Sequence, residues 1–439
     1  MVLEFTVENF RSIKDAQTLS FVPDSSTHLR ENLLSTDARP DLELLPSLLV
    51  YGGNGAGKTN LCRALEAFSW AAVRSSKELT LDEPIDQIQA FRLDPETANK
   101  PSRFGMTFLI DGELFEYKLS CTKQRVEEES LRRKANTEKS RWATVFHRLG
   151  NERSEWLGNA PRLNYSFFRS VRDNATILSK AAQENIESVY EVFRAIFNIK
   201  VKFMSELPPR IVEDVADLVR QHPSVRDQLA PIVACADVRF DEVRLKTEEI
   251  SGRDLPWEVR EYFTPRRSGR AVYHTDLEFM RRGTDGLPVT FTLEDVSFGT
   301  IRFLALVLEI FDAAISASLL VLDEFDASLH TLLAHEVRDL LVDAALTSRA
   351  GAQYVVVTHN DSLLDSSQLR RDQIVLLNQA ADGATEWYAM SELDRLPKPN
   401  ESFQRRYLLG GYGGVPRIRD IRGVFSDMVR EWESSAVQA

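Results

Sequence analysis

The sequence predicts an α/β fold in which helices flank a parallel sheet and an antiparallel strand pair opens the chain. Three observations carry this. The last third alternates apolar strand runs with amphipathic helical runs, residues 48–51 (LLVY) form an apolar run that enters a glycine-rich turn, and the first eight residues alternate apolar with polar.

Taken in order, Leu3, Phe5 and Val7 share one face against Glu4, Thr6 and Glu8, and Leu19 and Phe21 repeat the alternation. After the turn at 52–57, Leu61, Leu65 and Phe68 recur at helical spacing. Residues 103–165 read as β-rich, with Asp111-Gly112 a favoured hairpin turn inside FLIDGELFEYKL. Residues 176–235 read as helical, with Pro208-Pro209 as a break. The remainder reads as helix 300–314, strand 318–323, helix 329–344 and strands 353–358 and 373–377, with Asp382-Gly383 turning into 386–390. The resulting organisation is an N-terminal lobe over 1–165, a largely helical insertion over 166–290 and a C-terminal lobe over 291–439.

Composition narrows the class. With 43% apolar and 27% charged residues in 439, the chain reads as globular. No apolar run reaches membrane-spanning length and MVLEFTVENF lacks the basic-then-apolar order of a signal peptide, so a cytoplasmic, membrane-free protein is expected. Cys62, Cys121 and Cys235 have no metal-ligand spacing and read as buried thiols. The net charge of −12 argues against coating nucleic acid with the whole surface. Arg132, Arg133, Lys134, Lys139 and Arg141, and Arg266, Arg267, Arg270, Arg281 and Arg282, read as solvated faces, with a local nucleic-acid groove as the alternative. Glu127-Glu128-Glu129 and Glu248-Glu249 read the same way.

The chemistry starts at Gly52-Gly53-Asn54-Gly55-Ala56-Gly57-Lys58-Thr59, a GxxxxGK[ST] pattern between strand and helix, followed by Asn60. Glycines let backbone N–H groups wrap a phosphate at a helix N-terminus, Lys58 can reach the β and γ oxygens, and the Thr59 hydroxyl can ligate Mg²⁺. Leu319–Leu322 lead into Asp323-Glu324, a buried strand ending in two carboxylates. Asp323 would hold Mg²⁺ and Glu324 would polarise an attacking water. Ser297 and Gly299, ahead of a helix, resemble the Ser-x-Gly segment with which ABC ATPases grip the γ-phosphate bound to a second copy, a role that suits the hydroxyl, the close-approach glycine and the helix dipole. Asp326-Ala327-Ser328-Leu329-His330 resembles the D-loop of ABC ATPases, and the strand 354–357 ends at Thr358-His359, which resembles the ABC switch histidine; that resemblance implies an imidazole touching the γ-phosphate. The same resemblance implies a Q-loop glutamine between the glycine loop and Ser297, for which Gln87 and Gln89 are positional candidates.

Together FTVENFRSIKDAQTLSF, YGGNGAGKTNL, SFGTIRF, LLVLDEFDASLH, VVVTHND and YLLGGYGGVP resemble the stand-alone RecF/OLD-like ABC ATPases of the RloA and AriA (PARIS) type, and more broadly the heads of SMC and RecF proteins. Phe298 and Thr300 stand where the transporter form LSGGQ has Gly and Gln, Thr331 replaces the usual proline, and residues 110–290 match least. The resemblance implies an ABC-type head that binds MgATP between two protomers of a homodimer or higher homo-oligomer, with catalytic Glu324 and His359. It further implies a separate effector, a Toprim-like or other nuclease, and a phage protein as trigger in anti-phage defence. A RecF-like DNA-repair clamp is the alternative.

Overall fold

The computed structural model describes residues 1–36, 39–137, 140–150, 152–153, 156–204, 208–250, 272–316, 318–348, 351–398, 401–416 and 420–436. The N-terminal alternation becomes the strand it predicts. In β1 (Val2–Glu8) Phe5 and Val7 are fully buried while Glu4 is exposed, and β1 pairs antiparallel with β2 (Gln17–Ser20), Phe5 opposite Leu19. A short ribbon of β3 (Leu34–Thr36) and β4 (Arg39–Leu44) leads to β5 (Ser47–Gly52), which is buried throughout, and to α1 (Lys58–Glu78). β6 (Ser102–Ile110) and β7 (Glu113–Cys121) form the expected hairpin. Asp111 and Gly112 both sit in the left-handed region, at φ 49° and 81°, which matches the twist of the strands they join. β8 (Val126–Lys134), β9 (Ala143–Leu149) and β10 (Leu157–Gly158) complete a seven-stranded antiparallel sheet in the order β10-β9-β8-β7-β6-β1-β2.

The second sheet runs β11 (Ile199–Phe203), β15 (Leu319–Asp323), β16 (Gln353–Val357), β5, β17 (Ile374–Gln379), β18 (Thr385–Ala389), parallel except for the last strand. Its central strands are near-continuous apolar runs because both faces are covered. Leu48, Val50, Val321, Val355 and Leu377 pack with Leu61, Leu65 and Phe68 of α1 and with the antiparallel sheet. Leu49, Tyr51, Leu320, Leu322, Tyr354 and Leu376 face the other way, against Phe303 and Ile310 of α7 (Phe298–Ser316) and Val337 and Leu341 of α8 (Thr331–Thr347). The expected mixed α/β architecture with antiparallel N-terminal strands is what the chain adopts.

The middle differs from its expected, largely helical character. α2 (Tyr165–Ser170), α3 (Ile177–Gln183), α4 (Tyr190–Phe197), α5 (Pro208–Gln221) and α6 (Leu229–Cys235) are present, but β11 lies among them and extends the parallel sheet. Its IKVKF alternation is a strand pattern whose lysines are neutralised locally: Lys200 pairs with Asp312, and Lys202 with Asp214 and Glu309, both at 2.8 Å. Pro208 opens α5 rather than ending a helix, since a first-turn proline loses no hydrogen bond. β12 (Glu242–Ile250), β13 (Val272–Arg282) and β14 (Pro288–Phe291) form a three-stranded antiparallel sheet, and a separate core joins it to α5, α6 and a second face of α7 through Ile301, Leu304 and Leu308.

Two further expectations change. Glu129 is not on a solvated face: it is fully buried, accepting from the Tyr117 hydroxyl at 3.0 Å and from the N–H groups of Ile177 and Leu178 at 2.6 and 2.9 Å. Burial pushes its carboxyl above the usual range, opposed by the charge of the equally buried Arg148. A charge run alone does not reveal that one member points inward. Cys62 and Cys121 are buried, with pKa values raised by desolvation, whereas Cys235 is exposed. Lys139, Arg266, Arg267 and Arg270 lie outside the described residues, as do the side chains of Glu248 and Glu249. Among the described residues no helix is long and apolar enough to cross a membrane.

Candidate active site

Three adjacent parallel strands, β15, β16 and β5, deliver their carboxyl ends to one edge of the sheet, the usual place for a ligand in such folds. β5 ends in the glycine loop, β15 in Asp323 and β16 leads to His359. Gly57 starts α1 at φ 94°, and a Cβ there would lie 2.0 Å from Thr385 Oγ1; one on Gly52 would lie 2.9 Å from Leu377 O. Lys58 is buried, and its Nζ donates to Gly52 O at 2.8 Å and Gly53 O at 3.1 Å. Desolvation lowers its pKa, opposed by the charges of Asp323 and Glu324.

Thr59 and Asp323 meet: the Thr59 hydroxyl stands close enough to the Asp323 carboxylate to favour its charged form. Asp323 is buried, burial raises its pKa, and its Oδ1 has no hydrogen-bond partner. An orphaned buried carboxylate oxygen beside a threonine hydroxyl is the donor set a hard divalent cation fits. Among the described residues no group of three or more His, Cys, Asp or Glu could hold a metal, so a cation here would draw its other ligands from phosphate and water.

Glu324 follows at φ 55°, a left-handed backbone in a non-glycine residue, and Ser328 repeats it at φ 67°. Such strain persists only where the surroundings enforce it, and it turns the chain sharply at both ends of a short loop. Inside that loop Phe325 is buried and Asp326 accepts from the Thr358 hydroxyl. His359 is exposed at the end of β16, within electrostatic reach of Lys58, Glu324, Asp326 and Asp323. Partial desolvation and the Lys58 ammonium hold its pKa below the ordinary histidine value, the carboxylates opposing. His330 is the N-cap of α8, its Nδ1 accepting from Leu332 N at 3.2 Å.

Ser297 and Gly299 make no hydrogen bond to the glycine loop of their own chain among the described residues. Exposed Ser297 caps α7, accepting from Thr300 N at 3.2 Å and sharing a hydrogen bond with Thr300 Oγ1 at 2.7 Å. Gly299 lies against the loop after Glu324: a Cβ there would stand 2.5 Å from the Ser328 carbonyl oxygen. A side chain at 299 would therefore strain the protomer itself, because backbone must give way within the same chain. Gly299→Ala should cost about 1–3 kcal/mol by overpacking, read as a lower denaturant midpoint at constant m-value. An unchanged midpoint would show that the loop moves freely.

The family described as "AAA domain, putative AbiEii toxin, Type IV TA system" matches residues 48–365, from the strand ahead of the glycine loop to beyond His359. The chain belongs to this family. Two solved structures are similar to this AAA-family chain. One is titled "Crystal structure of the SmcHead bound to the C-winged helix domain of ScpA", with 13% identity, 88% of this chain and 97% of that chain covered and a TM-score of 0.41. The other is the SMC head domain from Thermotoga maritima, with 12% identity, 88% and 98% covered and a TM-score of 0.38. No curated protein matches.

The structure of this AAA-family member adds residues that sequence reasoning left unassigned. Arg302 is buried under the Phe298 ring, 4.2 Å from its centroid, and donates to Ala327 O at 3.2 Å and Ser328 Oγ at 3.3 Å, tying α7 to the loop that follows Glu324. Ser12 Oγ accepts from Asn60 Nδ2 at 2.7 Å and from Thr385 Oγ1 at 2.8 Å, so the segment after β1 walls the glycine loop. Beside it Arg11, with its pKa lowered by burial and by the charges of Arg63 and Arg92, has a buried Nε without a partner. Asn9 and Arg11 at φ 52° and 50° flag this turn, a signal composition does not carry. Of the two glutamine candidates, Gln89 accepts from Arg11 N through its carbonyl at 2.7 Å, and Gln87 Oε1 is buried without a partner.

Proposed function

We propose that this chain is an ABC-type ATPase that binds and hydrolyses MgATP at the interface of two copies, and that it senses infection and controls a separate effector in anti-phage defence. The observation that carries the ATPase reading is the meeting of Thr59, buried Asp323 with its orphaned oxygen, and buried Lys58 at adjoining strand ends. Thr59 and Asp323 would hold Mg²⁺, which supplies charge neutralisation at the phosphate oxygens. Lys58 binds the β and γ oxygens, Glu324 orients and polarises the attacking water, and His359 contacts the γ-phosphate.

The paired arrangement is supported by Ser297, which stands exposed at the start of the long helix α7. The defence role rests on the resemblance of the motifs to RloA- and AriA-type ATPases. In this reading a second polypeptide, a Toprim-like or other nuclease, docks on the segment 176–235, where Tyr190 and Phe197 of α4 stand exposed. The purified chain should release phosphate from MgATP yet leave DNA, RNA and transfer RNA uncut, with cleavage appearing only when the polypeptide encoded beside it is added. Incubation with Mg²⁺ or Mn²⁺, ATP and each nucleic acid decides this. Cleavage by the chain alone that survives Glu324→Gln would sink the division of labour.

A further inference from the structure

The segment after α9 (Phe403–Leu408) is pinned by side-chain and backbone hydrogen bonds. Gly414 N–H donates to Asn378 Oδ1 at 2.8 Å, and the Tyr407 hydroxyl donates to Gly414 O at 2.9 Å. The Tyr388 hydroxyl donates to Tyr412 O at 2.6 Å and accepts from Asn378 Nδ2 at 3.1 Å. Gly413 and Gly414 take φ 77° and 70°, and a Cβ on Gly413 would lie 2.3 Å from the Tyr388 hydroxyl. The path is thus one that side chains would block. It brings in Pro416, whose Cα and N would lie 3.2 and 3.4 Å from a Cβ on Gly53.

Gly53 is a residue of the glycine loop, and its carbonyl accepts from Lys58 Nζ at 3.1 Å. Tyr51, two residues earlier, meets the Tyr407 ring edge to face at 5.7 Å. The anchors Asn378 and Tyr388 belong to β17 and β18, the two strands beyond β5. The contact therefore runs from rigid sheet, through the tail, to the part of the loop that restrains the ammonium.

We propose that Asn378, Tyr388 and Tyr407 are positioning residues for the glycine loop, clasping residues 410–416 so that Pro416 fixes the Gly53 backbone in its phosphate-binding shape. The proposal rests on the ATPase reading of that loop. A loop held in the bound shape need not be ordered when nucleotide arrives, so the clasp contributes to affinity, whereas the hydrolytic step depends on Glu324.

The test uses the full chain and isothermal titration with MgATP beside steady-state turnover. Tyr388→Phe deletes one hydroxyl and two hydrogen bonds. It should weaken MgATP binding by about tenfold while turnover at saturating ATP stays within about twofold. Asn378→Ala should do the same, and the double variant should bind no more weakly than the weaker single, because both act through one tail. Pro416→Gly, at an exposed position, should weaken binding without touching the clasp, and it serves as the readout if Tyr388→Phe does not fold. Wild-type affinity in both Tyr388→Phe and Pro416→Gly, even with a lowered melting temperature, would reduce the clasp to a structural brace and overturn the proposal. A wild-type chain that binds no MgATP would instead overturn the ATPase reading, and the proposal with it.

Discussion

Lys58→Ala is expected to weaken MgATP binding by roughly 100-fold, the loss of a charge-assisted contact to two phosphate groups. The ammonium is buried and held by the carbonyls of Gly52 and Gly53, so little ordering remains to be done when phosphate arrives. Its removal also leaves Asp323 and Glu324 without the cation that stands near both. An alanine cannot restore either term. Titration of the variant with MgATP measures the effect, and wild-type affinity would show that Lys58 is a structural bridge between loop carbonyls. The same variant should raise the pKa of His359, because Lys58 is one of the two causes that depress it. The sign follows directly: removing a nearby positive charge favours the imidazolium.

Glu324→Gln is expected to leave MgATP affinity near wild type and to slow hydrolysis by roughly 10²- to 10⁴-fold, the usual contribution of a positioned base. Glutamine keeps the size of the side chain and the backbone demand at φ 55°, and it removes only the charge and the strongest acceptor. Asp323, not Glu324, stands beside the Thr59 hydroxyl, so the cation-holding pair is untouched. The two variants together separate binding from chemistry. Equal loss of binding in both would mean that the assignment of roles is wrong.

Much of this was legible in the chain because it obeys short-range rules. The glycine loop announces itself by spacing, the buried strands by unbroken apolar runs, and the hairpin at Asp111-Gly112 by turn chemistry. What was not legible depends on partners far along the chain. β11 reads as part of a helical region until Asp312, Glu309 and Asp214 are seen to neutralise its lysines, and Glu129 reads as solvated until Tyr117 and the start of α3 are brought to it. Gly299 reads as a surface glycine awaiting a partner, yet its nearest neighbour is Ser328 of the same chain. The motif GGYGG carries its glycines visibly, but nothing local shows that Pro416 packs against Gly53.

Phosphate release from MgATP by the purified full-length chain, measured per protomer against protein concentration, decides whether these strand ends form an ATPase site completed by a second copy. Release that rises with concentration and disappears in Glu324→Gln is the expected result. No release at any concentration, or release that Glu324→Gln leaves unchanged, would contradict it.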